Sequence, residues 1–165
     1  METYNKQHIM DLIQPHSNCT LEDNGNVKKD VLQELTVAQD YLGTDEIREL
    51  LIADSGNDGT AKQFFANSID SKHILNILLE IVKEDYSTDA RINGAYWISQ
   101  FNIELLKEVE DTLLVLQKQE SFIVAHILVA LGKIKSKEGL KYLIENIIKP
   151  EMYWVSEALK YYLYE

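Results

Sequence analysis

Apolar positions recur at helical spacing along nearly the whole chain after residue 28. Val31, Leu35, Ala38 and Leu42 lie four, three and four residues apart, predicting one face of a helix that Gly43 can close. Thr44 followed by Asp45 and Glu46 is a good helix start. A hydroxyl can accept from the orphan N–H groups of a first turn, and carboxylates suit its positive dipole end. Ile47, Leu50 and Leu51 form the apolar side of that helix. The stretch DSGNDGT at 54–60 predicts a loop. Further helices are predicted at about 60–68, 71–85, 88–101, 103–118, 120–133, 137–148 and 150–164. Pro150 suits the first position of the last one, where its missing N–H costs nothing. Residues 3–13 predict a short helix and 15–27 a long loop.

The same periodicity assigns faces. Helix 71–85 buries Ile74, Leu78 and Ile81 and shows His73, Asn76, Glu80 and Lys83. Helix 103–118 buries Leu106, Val109, Leu113 and Leu116 and turns Glu104, Glu108 and Asp111 outward. Helix 137–148 buries Leu140, Ile144 and Ile147 and shows Glu138, Lys141, Tyr142 and Glu145. In the last helix Met152, Val155, Leu159 and Tyr162 can face the core. Trp154 and Tyr161 then lie on one flank, with Tyr153 and Tyr164 outside.

The second half repeats itself. Segments 90–99 (ARINGAYWIS), 123–132 (IVAHILVALG) and 155–164 (VSEALKYYLY) align without gaps at offsets of 33 and 32 residues. Small residues stand in the first two, Gly94 and Ala95 in one, Ala125 and Ala130 in the other. Each of those two segments is followed by a turn and a second amphipathic helix. Two helices per period in the low thirties mark a helical solenoid, whose units bury apolar faces only against each other. Residues 60–85 read as an earlier, more degenerate unit.

The run from Ile123 to Ile134, then Ser136 to Ile147, resembles a HEAT-like repeat. In that family a V-R-x-x-A-A-x-A-L-G helix is followed by a short polar turn and a helix of the P-L-I-x-x-L kind. The resemblance is good in this unit, moderate over 89–118 and partial in the last helix, about half the chain. The usual Arg after the leading Val is absent (Val124 and Ser156 hold that place), as is the usual Asp-Pro turn. The resemblance implies an all-α fold: a short right-handed α-solenoid of HEAT-like helical hairpins, about eight to ten helices. Residues 1–165 would form one helical-repeat domain, with 1–27 less regular and the clearest repeats in 60–165. HEAT-like proteins serve as scaffolds, inhibitors, lyases and DNA glycosylases, so the resemblance implies no one activity.

Charge narrows the choice. The 165 residues hold 27 Asp+Glu against 16 Lys+Arg, a formal net charge of −11. Such a chain has no general attraction to phosphate backbones or anionic bilayers, so neither nucleic acid nor membrane is expected as a partner. Only 7 Gly and 2 Pro leave little turn material for a many-stranded sheet protein. The N-terminus lacks a basic start followed by an apolar run, and the longest nearly apolar stretch, 122–131, is too short for a bilayer. The single cysteine, Cys19, cannot form an internal disulfide, which suits a reducing cytoplasm.

No catalytic motif accompanies this. DSGNDG at 54–59 begins like a calcium loop, but Gly56 and Phe65 replace two ligands, leaving an inter-helix turn. His16 and Cys19 have no second pair to complete a zinc site, and His126 has no neighbouring nucleophile. Adjacent acids such as Glu84 and Asp85, or Glu110 and Asp111, point in different directions on a helix. There is no Gly-rich phosphate loop, no H-E-x-x-H and no G-x-S-x-G, and only Arg48 and Arg91 could grip an anion. No enzyme and no cofactor are expected.

The charge is also uneven: residues 1–60 carry net −8, 61–118 net −3, and 119–165 net zero. An acidic, motif-poor helical protein looks like an immunity protein that neutralises a cognate basic nuclease-type toxin by masking its active site. The expected contacts are Glu80, Glu104, Glu108, Asp111, Glu138 and Glu145, with Tyr142, Tyr153 and Trp154 as aromatic anchors. The alternative is a HEAT-like scaffold or homodimer using the aromatic C-terminal helix. A third reading is a lyase-related enzyme involving Cys19 or His126.

Overall fold

Every regular element among the described residues is helical, and the protein is all-α. The structure is a computed structural model that describes residues 33–34, 36–37, 39–55, 59–119, 121–146 and 154–164. After a 3-10 turn at Gln39–Tyr41 come α1 (Thr44–Ser55), α2 (Gly59–Ala66), α3 (Lys72–Glu84) and α4 (Thr88–Gln100). They are followed by α5 (Ile103–Glu108), α6 (Glu110–Leu116), α7 (Ser121–Lys133), α8 (Lys137–Asn146) and α9 (Trp154–Leu163). The chain divides into two compact units, one ending at Gly94 and the other beginning at Ala95.

Helix starts are set by short polar side chains. Ser71 accepts from Ile74 N–H at 3.2 Å ahead of α3, Ser87 from Ala90 N–H at 3.2 Å, and Ser136 from Gly139 N–H at 3.1 Å. Asn102 does the same for α5, accepting from Glu104 N–H at 3.0 Å. Each satisfies a donor that the first turn would otherwise leave unpaired.

In the first unit the core is Ile47, Leu50 and Leu51 of α1, Phe64 and Phe65 of α2, and Ile74, Leu75, Leu78 and Ile81 of α3. The pattern of α3 is as expected: Ile74, Leu78 and Ile81 are buried while His73, Asn76, Glu80 and Lys83 are exposed. Arg48 ties α1 to the end of α3, its Nε donating to Asp85 Oδ2 at 2.8 Å and its Nη1 to Asp45 Oδ1 at 2.8 Å. Asp45, then Asp85, hold that guanidinium more firmly charged than usual. The Tyr86 ring lies 4.7 Å from it.

In the second unit the core includes Ile98, Phe101, Leu106, Leu113, Leu116, Ile123, Ile127, Leu128, Leu131, Leu143 and Ala158. Helix α9 lies against α7, and Gly132 lets the two backbones approach: a Cβ there would sit 2.7 Å from the Ala158 carbonyl oxygen. The α7–α8 turn closes on α9 as well. Lys135 takes the left-handed conformation (φ 53°), with Lys135 N–H bonded to Gly132 O and Ser136 N–H to Leu131 O. A lysine is an unusual choice there. Its Nζ donates to the carbonyls of Tyr161 and Tyr164 at 2.9 and 3.1 Å, so the strained residue caps the carboxyl end of α9.

Several expectations need correction. The predicted helix 103–118 is two helices, broken at Val109 (φ −111°, ψ 18°), which is only half-buried. In α8 the buried hydrophobic side chain is Leu143, while Ile144 is 55% exposed and Leu140 half-buried, so the face is rotated from the expected one. Tyr142 is half-buried against Val124, Leu128, Leu143 and Ala158 rather than displayed. The predicted 54–60 loop is narrower, because Asp54 and Ser55 end α1 and Gly59 and Thr60 begin α2. In α9 the fully buried residue is Ala158, with Leu159 and Tyr162 packed beside it. Residues 3–13, 15–27, Val31, Leu35, Ala38, Ile147, Pro150, Met152 and the Val155 side chain lie outside the described residues.

Candidate functional site

The acidic surface of the second unit is built on the short α5–α6 pair. Asn102 starts α5 one residue ahead of Ile103, which places Glu104 and Glu108 one turn apart on the same helix face. Both are exposed, and the Glu104 side chain retains 80% of its accessible surface. Lys107 Nζ approaches Glu104 Oε1 at 3.4 Å, an exposed pair worth at most about 0.5 kcal/mol. Asp111 is also exposed, but it belongs to α6, past the break at Val109, rather than to a continuous stripe. Glu110 and Asp111 share the first turn of α6, where the helix dipole favours carboxylates.

Glu138 and Glu145 are exposed on α8, with Lys141 exposed between them. Glu80 is exposed on α3 and belongs to the first unit, beside Lys83 and Asn76 on the same helix. Thus Glu104 and Glu108 are brought onto one face, Asp111 follows on the next helix, and Glu138 and Glu145 stand on another. The aromatic anchors fare differently. Tyr142 is half-buried in the core of its unit, and Tyr153 and the Trp154 side chain lie outside the described residues.

On α9 and just past its end, Glu157 and Lys160 join the flank and outer aromatics Tyr161 and Tyr164 that the periodicity already placed off the core. Glu157, Lys160, Tyr161 and Tyr164 are all exposed and spaced three, one and three residues apart, which puts them on one stripe. Lys160 Nζ donates to Glu157 Oε1 at 2.6 Å, and that carboxylate raises the ammonium above the ordinary lysine range. The E-x-x-K spacing was the available signal. Tyr161 also lies under Lys133, with 5.8 Å from Nζ to the ring centroid.

His126 on α7 is half-buried and meets Tyr96 edge to face at 5.6 Å; Tyr96 in turn meets Trp97 at 5.0 Å. Burial lowers His126 below the ordinary histidine range, so the ring is held neutral. Lys133, one face along α7, donates to the Ser99 carbonyl, and burial lowers its ammonium too. Among the described residues no group of three or more His, Cys, Asp or Glu could hold a metal ion. No helix among them is long and apolar enough to cross a membrane. Comparison with protein-family models, with curated proteins and with solved structures finds no match for this chain.

Proposed function

We propose that the chain is an acidic protein-binding module that covers the basic surface of a protein partner, in the manner of an immunity protein masking a nuclease-type toxin. The observation that carries this is the exposure of Glu104 and Glu108 on one face of α5, with Asp111 following on α6, in a chain of net charge −11. A fixed display of carboxylates raises the encounter rate with a cationic surface and matches its potential without any chemistry of its own. Glu138 and Glu145 on α8 and Glu80 on α3 extend the acidic surface, and the single cysteine suits a cytoplasmic setting.

The frame that carries these residues is read as a short right-handed stack of HEAT-like hairpins. Segments 90–99 and 123–132 support it, because the 33-residue offset preserves burial. Ala90 and Ile123, Ala95 and Leu128, Trp97 and Ala130, and Ile98 and Leu131 are buried pair by pair. Segment 155–164 keeps the spacing with a different buried face, centred on Ala158.

The test is charge reversal. With Glu104→Lys and Glu108→Lys together, affinity for a basic partner protein should fall at least tenfold, mostly through slower association. The wild-type rate should drop steeply as salt is raised. A variant that binds as well as the wild type would remove this surface from the interface.

A further inference from the structure

We infer that a second copy of this chain docks on the outer row of α9, the two helices running antiparallel about a two-fold axis. The row is self-complementary. Under a two-fold axis level with the midpoint of Glu157 and Lys160, each glutamate meets the lysine of the other copy, giving two equivalent ion pairs. Tyr161, Leu163 and Tyr164 continue the exposed arc, at 38, 68 and 71% exposure, and supply the apolar area that the pairs alone lack.

Charge also selects this place for self-association. Two copies of a chain of net charge −11 repel, but charges farther apart than about 8 Å are largely screened at physiological salt, so local balance decides. Residues 119–165 hold six acids and six bases, whereas 1–60 hold twelve and four, and 61–118 nine and six. The C-terminal segment is therefore where two copies meet without a net like-charge opposition. The helix is also held before any partner arrives. Gly132 lets α7 and α9 touch backbone to backbone, Lys135 caps its end, and Tyr162 Oη donates to Ser136 O at 2.9 Å. A rigid surface loses little entropy on docking.

The experiment is sedimentation equilibrium of the purified full chain and two variants, Glu157→Lys and Lys160→Glu. The wild type should reach twice the monomer mass. Each single variant should dissociate, its dimer constant weakened at least tenfold, because both contacts then set like charges together. An equimolar mixture of the two variants should recover the dimer mass, since one copy offers two lysines and the other two glutamates. Neither variant keeps the Glu157–Lys160 pair within its own helix, so recovery on mixing reports contact between copies. Thermal unfolding of each variant, read in parallel, separates a folding defect from a lost contact. The inference is overturned if the wild type stays monomeric up to its solubility limit, or if the single variants dimerise like the wild type. It is equally overturned if mixing restores nothing.

Discussion

Gly132 and Ala158 hold two helices at backbone contact: a methyl group on Gly132 would stand 2.7 Å from the Ala158 carbonyl oxygen and 3.2 Å from Tyr161 Cβ. In an isolated helix, Gly→Ala stabilises by about 1 kcal/mol. Overpacking a tight contact costs about 1–3 kcal/mol, and a backbone carbonyl cannot turn aside as a side chain can. Gly132→Ala should therefore lower stability by about 1 kcal/mol or more in denaturant unfolding. Gly94→Ala is the comparison, since its nearest neighbour is Val82 Cγ2 at 3.0 Å, a side-chain methyl rather than a backbone carbonyl. It should be nearer neutral.

Arg48 and Asp85 form an ion pair at 2.8 Å, with the Asp85 side chain only 4% exposed. Removing the arginine leaves that carboxylate facing Ser87 N–H alone among the contacts described, at 2.9 Å. Arg48→Ala should cost about 3 kcal/mol. Asp45→Ala should cost less than about 1 kcal/mol, because Asp45 is 83% exposed and its attraction to Arg48 is screened. Urea titrations of the two variants distinguish the contacts.

The first prediction about pH concerns acid. His126 is held neutral by burial, so its folded pKa lies below the ordinary value near 6.5. As pH falls through that ordinary value, the unfolded chain takes up the proton first. Stability should be full above about pH 6.5 and decline as pH falls toward the folded pKa. In His126→Phe, which keeps a ring against Tyr96, this part of the decline should vanish from unfolding midpoints measured between about pH 7 and 5.

The second concerns alkali. Burial, with the Glu110 carboxylate adding to it, pushes the Tyr162 hydroxyl up to about 12. An unfolded tyrosine ionises near 10, so stability should fall as pH rises above about 10. Tyr162→Phe should lose about 1 kcal/mol at neutral pH with its bond to Ser136 O, yet show a flatter alkaline limb.

Helix α3 was legible from periodicity, with Ile74, Leu78 and Ile81 on one face, and the structure adds Ser71 as its cap. The break at Val109 was not. Leu106, Val109, Leu113 and Leu116 keep helical spacing whether one helix runs through them or two meet there, so periodicity carries no information on it. The face of α8 was ambiguous for a related reason. Leu140, Leu143, Ile144 and Ile147 offer two apolar faces, and tertiary packing against Val124, Leu128 and Ala158 selects Leu143. Hydrophobicity also pointed to the large residues of α9, although backbone contact at Gly132 requires a small one, Ala158. Among the surface carboxylates, the exposure of Glu104 and Glu108 on one face was legible from spacing alone. Asp111 shared their exposure but not their helix, and Tyr142 was misplaced because an amphipathic ring suits core and surface alike.

The most direct measurement is affinity capture of protein partners from cells of the source organism, at low and at moderate salt. Wild-type chain and the Glu104→Lys, Glu108→Lys double variant are carried side by side. The expected result is one small basic protein held in equimolar amount at low salt, weakened at moderate salt and absent from the variant. Recovery of a neutral or acidic partner, equal recovery by the variant, or an empty wild-type bait would contradict the acidic-binder function.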